Sequence, residues 1–181
     1  MKQIQRKANI TATGKYLPEK VLTNHDMEKL VETSDEWIQT RTGIRERRMV
    51  QNGQATVDMS TNAVRDLMEN YDLYPEEIDA IIVATVTPDM ILPCSAALIQ
   101  NNINAINAWG YDLSAACSGF LFGLESGAAL IESGRCKKVI VIGADTMSSI
   151  LNYKDRNTCI LFGDGAGAVL LEPSEEFGII D

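Results

Sequence analysis

Two hydrophobic rhythms run along this chain. Across Thr56–Tyr71 the positions Val57, Ser60, Val64, Leu67, Met68 and Tyr71 recur at helical spacing, which predicts an amphipathic helix with one core-facing side. Residues 78–85 and 138–144 instead are rich in β-branched and apolar residues, the mark of strands buried on both faces. Residues 8–16 predict a first strand that closes at Gly14, after which Leu17-Pro18 turns the chain away. Residues 105–113 predict a strand leading to Cys117, and residues 169–172 a last strand stopped by Pro173.

Polar punctuation places the shorter helices. Thr23-Asn24 caps one over residues 26–31. Thr33-Ser34-Asp35-Glu36 has capping-box form with Thr33 as N-cap, and opens a helix carrying Trp37, Ile38 and Arg41 that Thr42-Gly43 ends. Pro93 starts a helix reaching residue 102. Residues 117–133 predict a helix apolar almost all round, with Gly119, Gly123 and Gly127 every fourth residue. Its bare face permits close backbone approach, and each glycine weakens an isolated helix, so it belongs between packed layers. Strands alternate with helices throughout, which predicts one α/β domain with a largely parallel sheet.

Composition narrows the class. The chain has 181 residues, 45% hydrophobic and 23% charged, enough for a core of its own. No apolar run reaches membrane-spanning length. Residues 1–7 are basic but lead into no apolar stretch, so they do not read as a signal peptide. Cys94, Cys117, Cys136 and Cys159 are scattered without a C-x-x-C pair, which fits a reducing cytosol better than a disulfide framework or a metal site. A net charge of −9 argues against nucleic-acid binding, although Arg41, Arg45, Arg47 and Arg48 cluster, as do Arg135, Lys137 and Lys138.

Three features bear on chemistry. Cys117 lies where an apolar strand gives way to a helix, and the unpaired N–H groups of a helix start favour a thiolate there. A small cysteine that merely packs would satisfy the same residues. Trp37 and Arg41 are four apart, so an indole and a guanidinium share one helix face that could hold an aromatic base and a phosphate; a core tryptophan beside an exposed arginine is the alternative. Gly163-Asp164-Gly165-Ala166-Gly167 lacks the Lys-Ser/Thr of a phosphate loop and the order of a dinucleotide fingerprint, so it reads as a tight packing turn and nucleotide binding there is rejected. His25, the only histidine, sits at the start of a polar helix and reads as structural.

The segments Gly14-Lys15-Tyr16-Leu17-Pro18-Glu19, Thr33-Ser34-Asp35-Glu36-Trp37-Ile38, Arg41-Thr42-Gly43-Ile44-Arg45-Glu46-Arg47-Arg48, Ser114-Ala115-Ala116-Cys117-Ser118-Gly119-Phe120, Asp155-Arg156-Asn157-Thr158 and Phe162-Gly163-Asp164-Gly165-Ala166-Gly167-Ala168 closely resemble the β-ketoacyl-[acyl-carrier-protein] synthase III family of condensing enzymes. The resemblance runs in register from about Ile10 to the end. It implies a thiolase-like fold of two similar α/β halves, each a five-stranded mixed sheet with flanking helices, of which residues 1–181 are the N-terminal half and the C-terminal half is absent. It implies Cys117 as the acyl-accepting nucleophile. Thr33, Trp37, Arg41 and Arg156 fall on coenzyme A-binding positions, with Trp37 and Arg156 sandwiching adenine and Arg41 reaching toward phosphates. Leu92 and Phe162 fall on the acyl pocket, Leu92 where many members place a Phe that reaches across a homodimer.

The implied activity is fatty-acid initiation: a short acyl-CoA, acetyl-CoA-like, is condensed with malonyl-acyl-carrier protein through an acyl-cysteine. It uses no cofactor and no metal, involves neither membrane nor nucleic acid, and takes place in the cytoplasm. A His and an Asn of the family's C-terminal half are not in this chain. The alternatives are a non-catalytic coenzyme A-binding or dimerisation half, and a synthase III-like enzyme of secondary metabolism. The glycine face of the helix after Cys117 is expected to meet a matching helix of the second half.

Overall fold

The computed structural model describes residues 7–51, 53–176 and 178–179; the start of the basic N-terminal segment lies outside them. The buried apolar runs form the middle of one five-stranded sheet, in the order β1-β7-β6-β4-β5. Its strands are β1 (Lys7–Tyr16), β4 (Ala80–Ala84), β5 (Trp109–Leu113), β6 (Val139–Thr146) and β7 (Asp164–Ser174). β4 runs parallel to both β5 and β6, whereas β7 is inserted antiparallel between β6 and β1. The sheet is therefore mixed, and its parallel part is confined to β5-β4-β6. A separate two-stranded antiparallel sheet pairs β2 (Lys20–Thr23) with β3 (Glu46–Met49).

Alternating side chains divide the core into two layers. Ile81, Val83, Ile140 and Ile142 face α3 (Thr56–Tyr71) and α4 (Ser95–Asn102), packing on Val64, Leu67 and Ile99. Ile82, Val139 and Val141 face the opposite way, onto α5 (Gly119–Glu132) and Ile131. Burial of both faces along Ala80–Ala84 and over residues 139–142 is the physical reason for the apolar sequence there.

Several expectations are corrected. The first short helix, α1 (Asn24–Met27), is only one turn, held by a Thr23–Asp26 capping box. Ser34, not Thr33, caps α2 (Asp35–Thr42): the Ser34 hydroxyl accepts from the Trp37 N–H at 3.1 Å. Pro93, after a cis peptide bond, stands before the N-cap Cys94 and so outside α4. The strand before Cys117 starts only at Trp109. The run Asp164–Gly167 is not a turn but the opening of β7, Gly165 pairing with Asp145 and Gly167 with Gly143; Pro173 lies within that strand rather than ending it.

The glycines of α5 pack inward, not toward another helix. A Cβ on Gly123 would come 2.9 Å from Val141 Cγ1, and one on Gly127 2.7 Å from Leu171 Cδ1. α5 is thus pressed onto its own sheet, and Leu121 and Phe122 on its other side are 63% and 54% exposed. No helix among the described residues is long and apolar enough to cross a membrane.

Candidate active site

β5 ends at Leu113, and six residues later, at Gly119, the chain has reversed into α5. Ala116 makes this possible by adopting φ +48°, a left-handed conformation rare for a residue with a Cβ. A short 3₁₀ turn, Ala116–Ser118, then lifts Cys117 onto the surface just ahead of the helix. Its position is a helix start, as expected, but one tight turn precedes the α-helix proper.

The four cysteines are not equivalent. Cys136 and Cys159 are buried, and burial pushes both thiols up, away from the thiolate form. Cys94 is half-buried and Cys117 exposed. Cys117 alone among them borders a pocket of about 460 Å³, walled by Val86, Ala144, Asp145, Met147, Phe162 and Gly163. These walls come from the carboxyl ends of β4 and β6 and the start of β7, the end of an α/β sheet where ligands bind.

Asp145 would be the obvious candidate base in that pocket, but its Oδ1 is already engaged. It accepts from the Val86 N–H at 2.8 Å and from the Thr85 and Thr87 hydroxyls at 3.0 and 2.9 Å. Asp145 therefore fixes the loop after β4, which supplies Val86 to the wall. Asp164 does similar work beneath Phe162, accepting from the Val50 N–H, the Ser148 N–H and the Ser148 hydroxyl at 2.6–2.8 Å. Val86, Asp145 and Met147 were not marked by any local sequence pattern; only the end of a buried strand hinted at 145.

A second cluster lies on α2. Gly43, at φ +75°, ends the helix with its N–H donating to Gln39 O. Ile38 is turned into a small core with Met27, Cys159 and Ile160. Trp37 is half-buried, packed in part against the same core, and with Arg41 and with Ser34, Glu36 and Thr40 it lines a hollow of about 390 Å³. The Arg41 guanidinium carbon lies 4.9 Å from the Trp37 ring centroid, and Arg156, from the loop before β7, lies 4.7 Å from it.

The structure thus brings Trp37, Arg41 and Arg156 together, and Cys117 with Phe162. It does not show an open slot for a base: stacking a ring between Trp37 and Arg156 needs about 7 Å, two contacts of about 3.5 Å. Arg156 must swing outward to admit one. Thr33 stands beside the cluster with its hydroxyl enclosed and unpartnered among the described residues. Leu92 is absent from the Cys117 pocket; it is 83% exposed on the loop before α4. His25 is on the surface beside Glu28.

Comparison with known proteins finds relatives that share this arrangement. A family model described as 3-oxoacyl-[acyl-carrier-protein] synthase III matches residues 111–181. A β-ketoacyl-[acyl-carrier-protein] synthase III of Chlorobaculum tepidum is 58% identical over 178 residues, 97% of this chain and 54% of that protein. The crystal structure of 3-oxoacyl-[acyl-carrier-protein] synthase III from Aquifex aeolicus VF5 superposes with a TM-score of 0.90 at 48% identity, covering 94% of this chain and 55% of that one. The priming β-ketosynthase of the R1128 polyketide pathway superposes with a TM-score of 0.91 at 36% identity, over 94% and 51% of the two chains. The chain spans about half the length of the curated relatives it matches. With identity sustained over nearly its whole length and the same fold, the chain is similar to β-ketoacyl-[acyl-carrier-protein] synthase III proteins over about half of their length.

Proposed function

We propose that this chain is the N-terminal half of an acyltransferase that starts fatty-acid synthesis. In this reading it condenses a short, acetyl-CoA-like acyl-CoA with malonyl-acyl-carrier protein. The observation that carries the reading is Cys117, the exposed cysteine of the four, set on a strained turn at the rim of a largely apolar pocket.

The Cys117 thiolate attacks the thioester carbon of the acyl-CoA. The new C–S bond forms as the carbonyl electrons move to oxygen, which the Cys117 backbone N–H helps to hold. Collapse expels coenzyme A as a thiol once it takes up a proton, leaving the acyl group on sulfur. Malonyl-acyl-carrier protein then loses carbon dioxide, and its enolate carbon attacks the acyl-cysteine. A 3-oxoacyl-carrier protein leaves and the Cys117 thiolate returns. A His and an Asn outside this chain would stabilise the enolate. Neither step calls for a metal or a cofactor, because a thiolate and a thioester suffice.

Arg41, Arg156 and Trp37 would hold the adenine and phosphate end, with Thr33 alongside. Val86, Met147 and Phe162 would wall the acyl chain, while Leu92, so exposed here, would reach the pocket of a second copy in a homodimer. The reading places the protein in the cytoplasm, away from membranes and nucleic acid. The likeness to the R1128 priming β-ketosynthase supports one second reading, an enzyme of secondary metabolism with an unusual primer.

The test is mass spectrometry of the longer parent protein, or of this chain with a complementary C-terminal chain, after incubation with acetyl-CoA. An added acetyl group that Cys117→Ser removes is expected. Label on Cys94, Cys136 or Cys159 overturns the assignment. Rates across acyl-CoA lengths separate the two enzymatic readings, and coenzyme A binding with neither acylation nor condensation in the assembled protein would leave only a non-catalytic coenzyme A-binding half.

A further inference from the structure

The residues read as the coenzyme A clasp come from distant stretches of sequence, α2 and the loop before β7. A chain of hydrogen bonds, buried at Arg47 and part-buried at Asp35, joins the two. Asp35, in the first turn of α2, accepts from Asn24 Nδ2 at 2.8 Å, and its other oxygen accepts from Gln39 Nε2 one turn along the helix at 2.7 Å. Asn24 Nδ2 also donates to Ile44 O at 2.8 Å. Asn24 Oδ1 accepts from one Arg47 guanidinium nitrogen at 2.8 Å, and the other guanidinium nitrogen donates to Ile160 O at 2.6 Å. Ile160 is four residues past Arg156 and two before Phe162. Asn24 and Arg47 are 1% and 6% exposed.

This joint is costly to build. Among the described residues Arg47 makes no ion pair, its Nε has no partner, and burial lowers the pKa of the guanidinium. Ile38, Met27, Cys159 and Ile160 already provide apolar cohesion at the same place. Apolar packing is non-directional, whereas a two-ended guanidinium and a two-ended amide fix distance and register. Arg47 also abuts the nucleophile pocket: a Cβ on Gly163, one of its walls, would lie 2.9 Å from Arg47 Cβ.

We infer that Arg47, acting through Asn24, is a positioning residue that sets the spacing between Trp37 on α2 and Arg156 on the loop before β7, and with it the affinity for the adenine end of coenzyme A. The inference rests on the reading of α2 given under Proposed function. It extends that reading to two residues that touch neither the ligand nor the nucleophile.

The test is a cycle in the chain carrying Trp109→Phe, so that Trp37 is its only indole. Asn24→Asp keeps an acceptor for Arg47 but replaces the donor facing Asp35 and Ile44 O with a second carboxylate oxygen, cutting the joint while Arg47 stays partnered. Arg47→Lys keeps the charge but reaches one acceptor. At a temperature where far-ultraviolet circular dichroism shows every variant folded, Asn24→Asp and Arg156→Ala are each expected to red-shift Trp37 emission and increase its acrylamide quenching. The double variant should add nothing to Arg156→Ala alone, because the same stacked pair is lost. Titration with coenzyme A should show Kd raised about tenfold by Asn24→Asp and less by Arg47→Lys, the scale of one charge-assisted hydrogen bond.

Unchanged Trp37 emission in folded Asn24→Asp, or additive effects in the double variant, overturns the inference; a purely structural role would lower the melting temperature and leave both readouts in place. Failure of the unsubstituted chain to bind coenzyme A overturns the functional reading and the affinity half of the inference with it. The emission cycle, which needs no ligand, still decides the coupling of the two segments.

Discussion

Ala116 holds φ at +48°, a conformation that costs a residue with a Cβ about 1–2 kcal/mol. The strain falls on the residue immediately before the exposed cysteine, where the chain must reverse from β5 into α5. Backbone strain of this kind persists only where the surroundings enforce it. Ala116→Gly is therefore expected to leave the melting temperature equal or higher, since relief of strain offsets the added freedom of the unfolded chain. The rate of Cys117 acylation should fall, because the turn no longer fixes the sulfur. Thermal unfolding and timed mass spectrometry together check this; a lower melting temperature with unchanged acylation would contradict it. Residues 114–118 contain the cysteine motif that carries the resemblance in plain view, but nothing local distinguishes Ala116 from Ala115. Only the reversal of the backbone selects which alanine bears the strain.

At the level of elements, two glycines with the same look in the sequence have opposite roles. A Cβ on Gly14 of β1 would collide with Ala63 O and lie 2.5 Å from Leu67 N, backbone atoms of α3 that cannot step aside. One on Gly167 of β7 would meet nothing within 4 Å. Gly14→Ala should destabilise the chain by about 3 kcal/mol, whereas Gly167→Ala should be neutral or slightly stabilising, as thermal or urea unfolding will read.

The α1–α2 segment carries an acid-sensitive set of contacts. The Lys29 ammonium and Thr23 hold the Asp26 carboxyl well below its ordinary value; the Asp35 N–H lowers Glu28, and the side-chain amides of Asn24 and Gln39 lower Asp35. Folded values depressed in this way give stability that is complete above the unfolded carboxylate range of about 4 and is lost as pH falls through the folded values. In the Trp109→Phe chain, Trp37 emission should change between about pH 4 and pH 2, before the far-ultraviolet signal of the sheet. Simultaneous loss of both signals would mean that α2 does not loosen on its own. The bounds of Thr56–Tyr71 were legible because its period is local, but its core face was only partly so: Tyr71, expected to face inward, is exposed and donates to Glu172, while Met59 and Ala63 are buried. The α2 cap was not, since Thr33 and Ser34 are adjacent hydroxyls and only the extended Ser34 backbone, at φ −142° and ψ 156°, tells which one turns inward.

For the whole molecule, the unresolved balance is on the outer side of α5. Its glycines are spent on contact with β6 and β7, leaving Leu121 and Phe122 outward, while Phe120 and Val169 border a further hollow on the same side of the sheet. Contiguous apolar surface of this kind drives association. The chain by itself is expected to bind an apolar dye and to self-associate in sedimentation. Leu121→Gln with Phe122→Gln should reduce both while leaving the melting temperature nearly unchanged, because neither side chain is buried. A monomer with no dye binding would show that the face is covered in some other way.

The sequence alone determined what depends on neighbours a few residues apart: the apolar runs of β4 and β6, the period of α3, the pairing of Trp37 with Arg41 on one helix face, and a cysteine at a strand-to-helix junction. Its resemblance to a family also supplied the site residues as expectations. Tertiary structure decided whatever needs a partner far along the chain. Asp164–Gly167 became a strand start because β6 and β1 flank β7, where the residues alone read as a tight packing turn. Arg47 became a buried joint because Ile160 O lies 113 residues away in sequence and 2.6 Å away in space. A hydrogen bond or a strand pairing has no local signature when its second half is supplied by the fold.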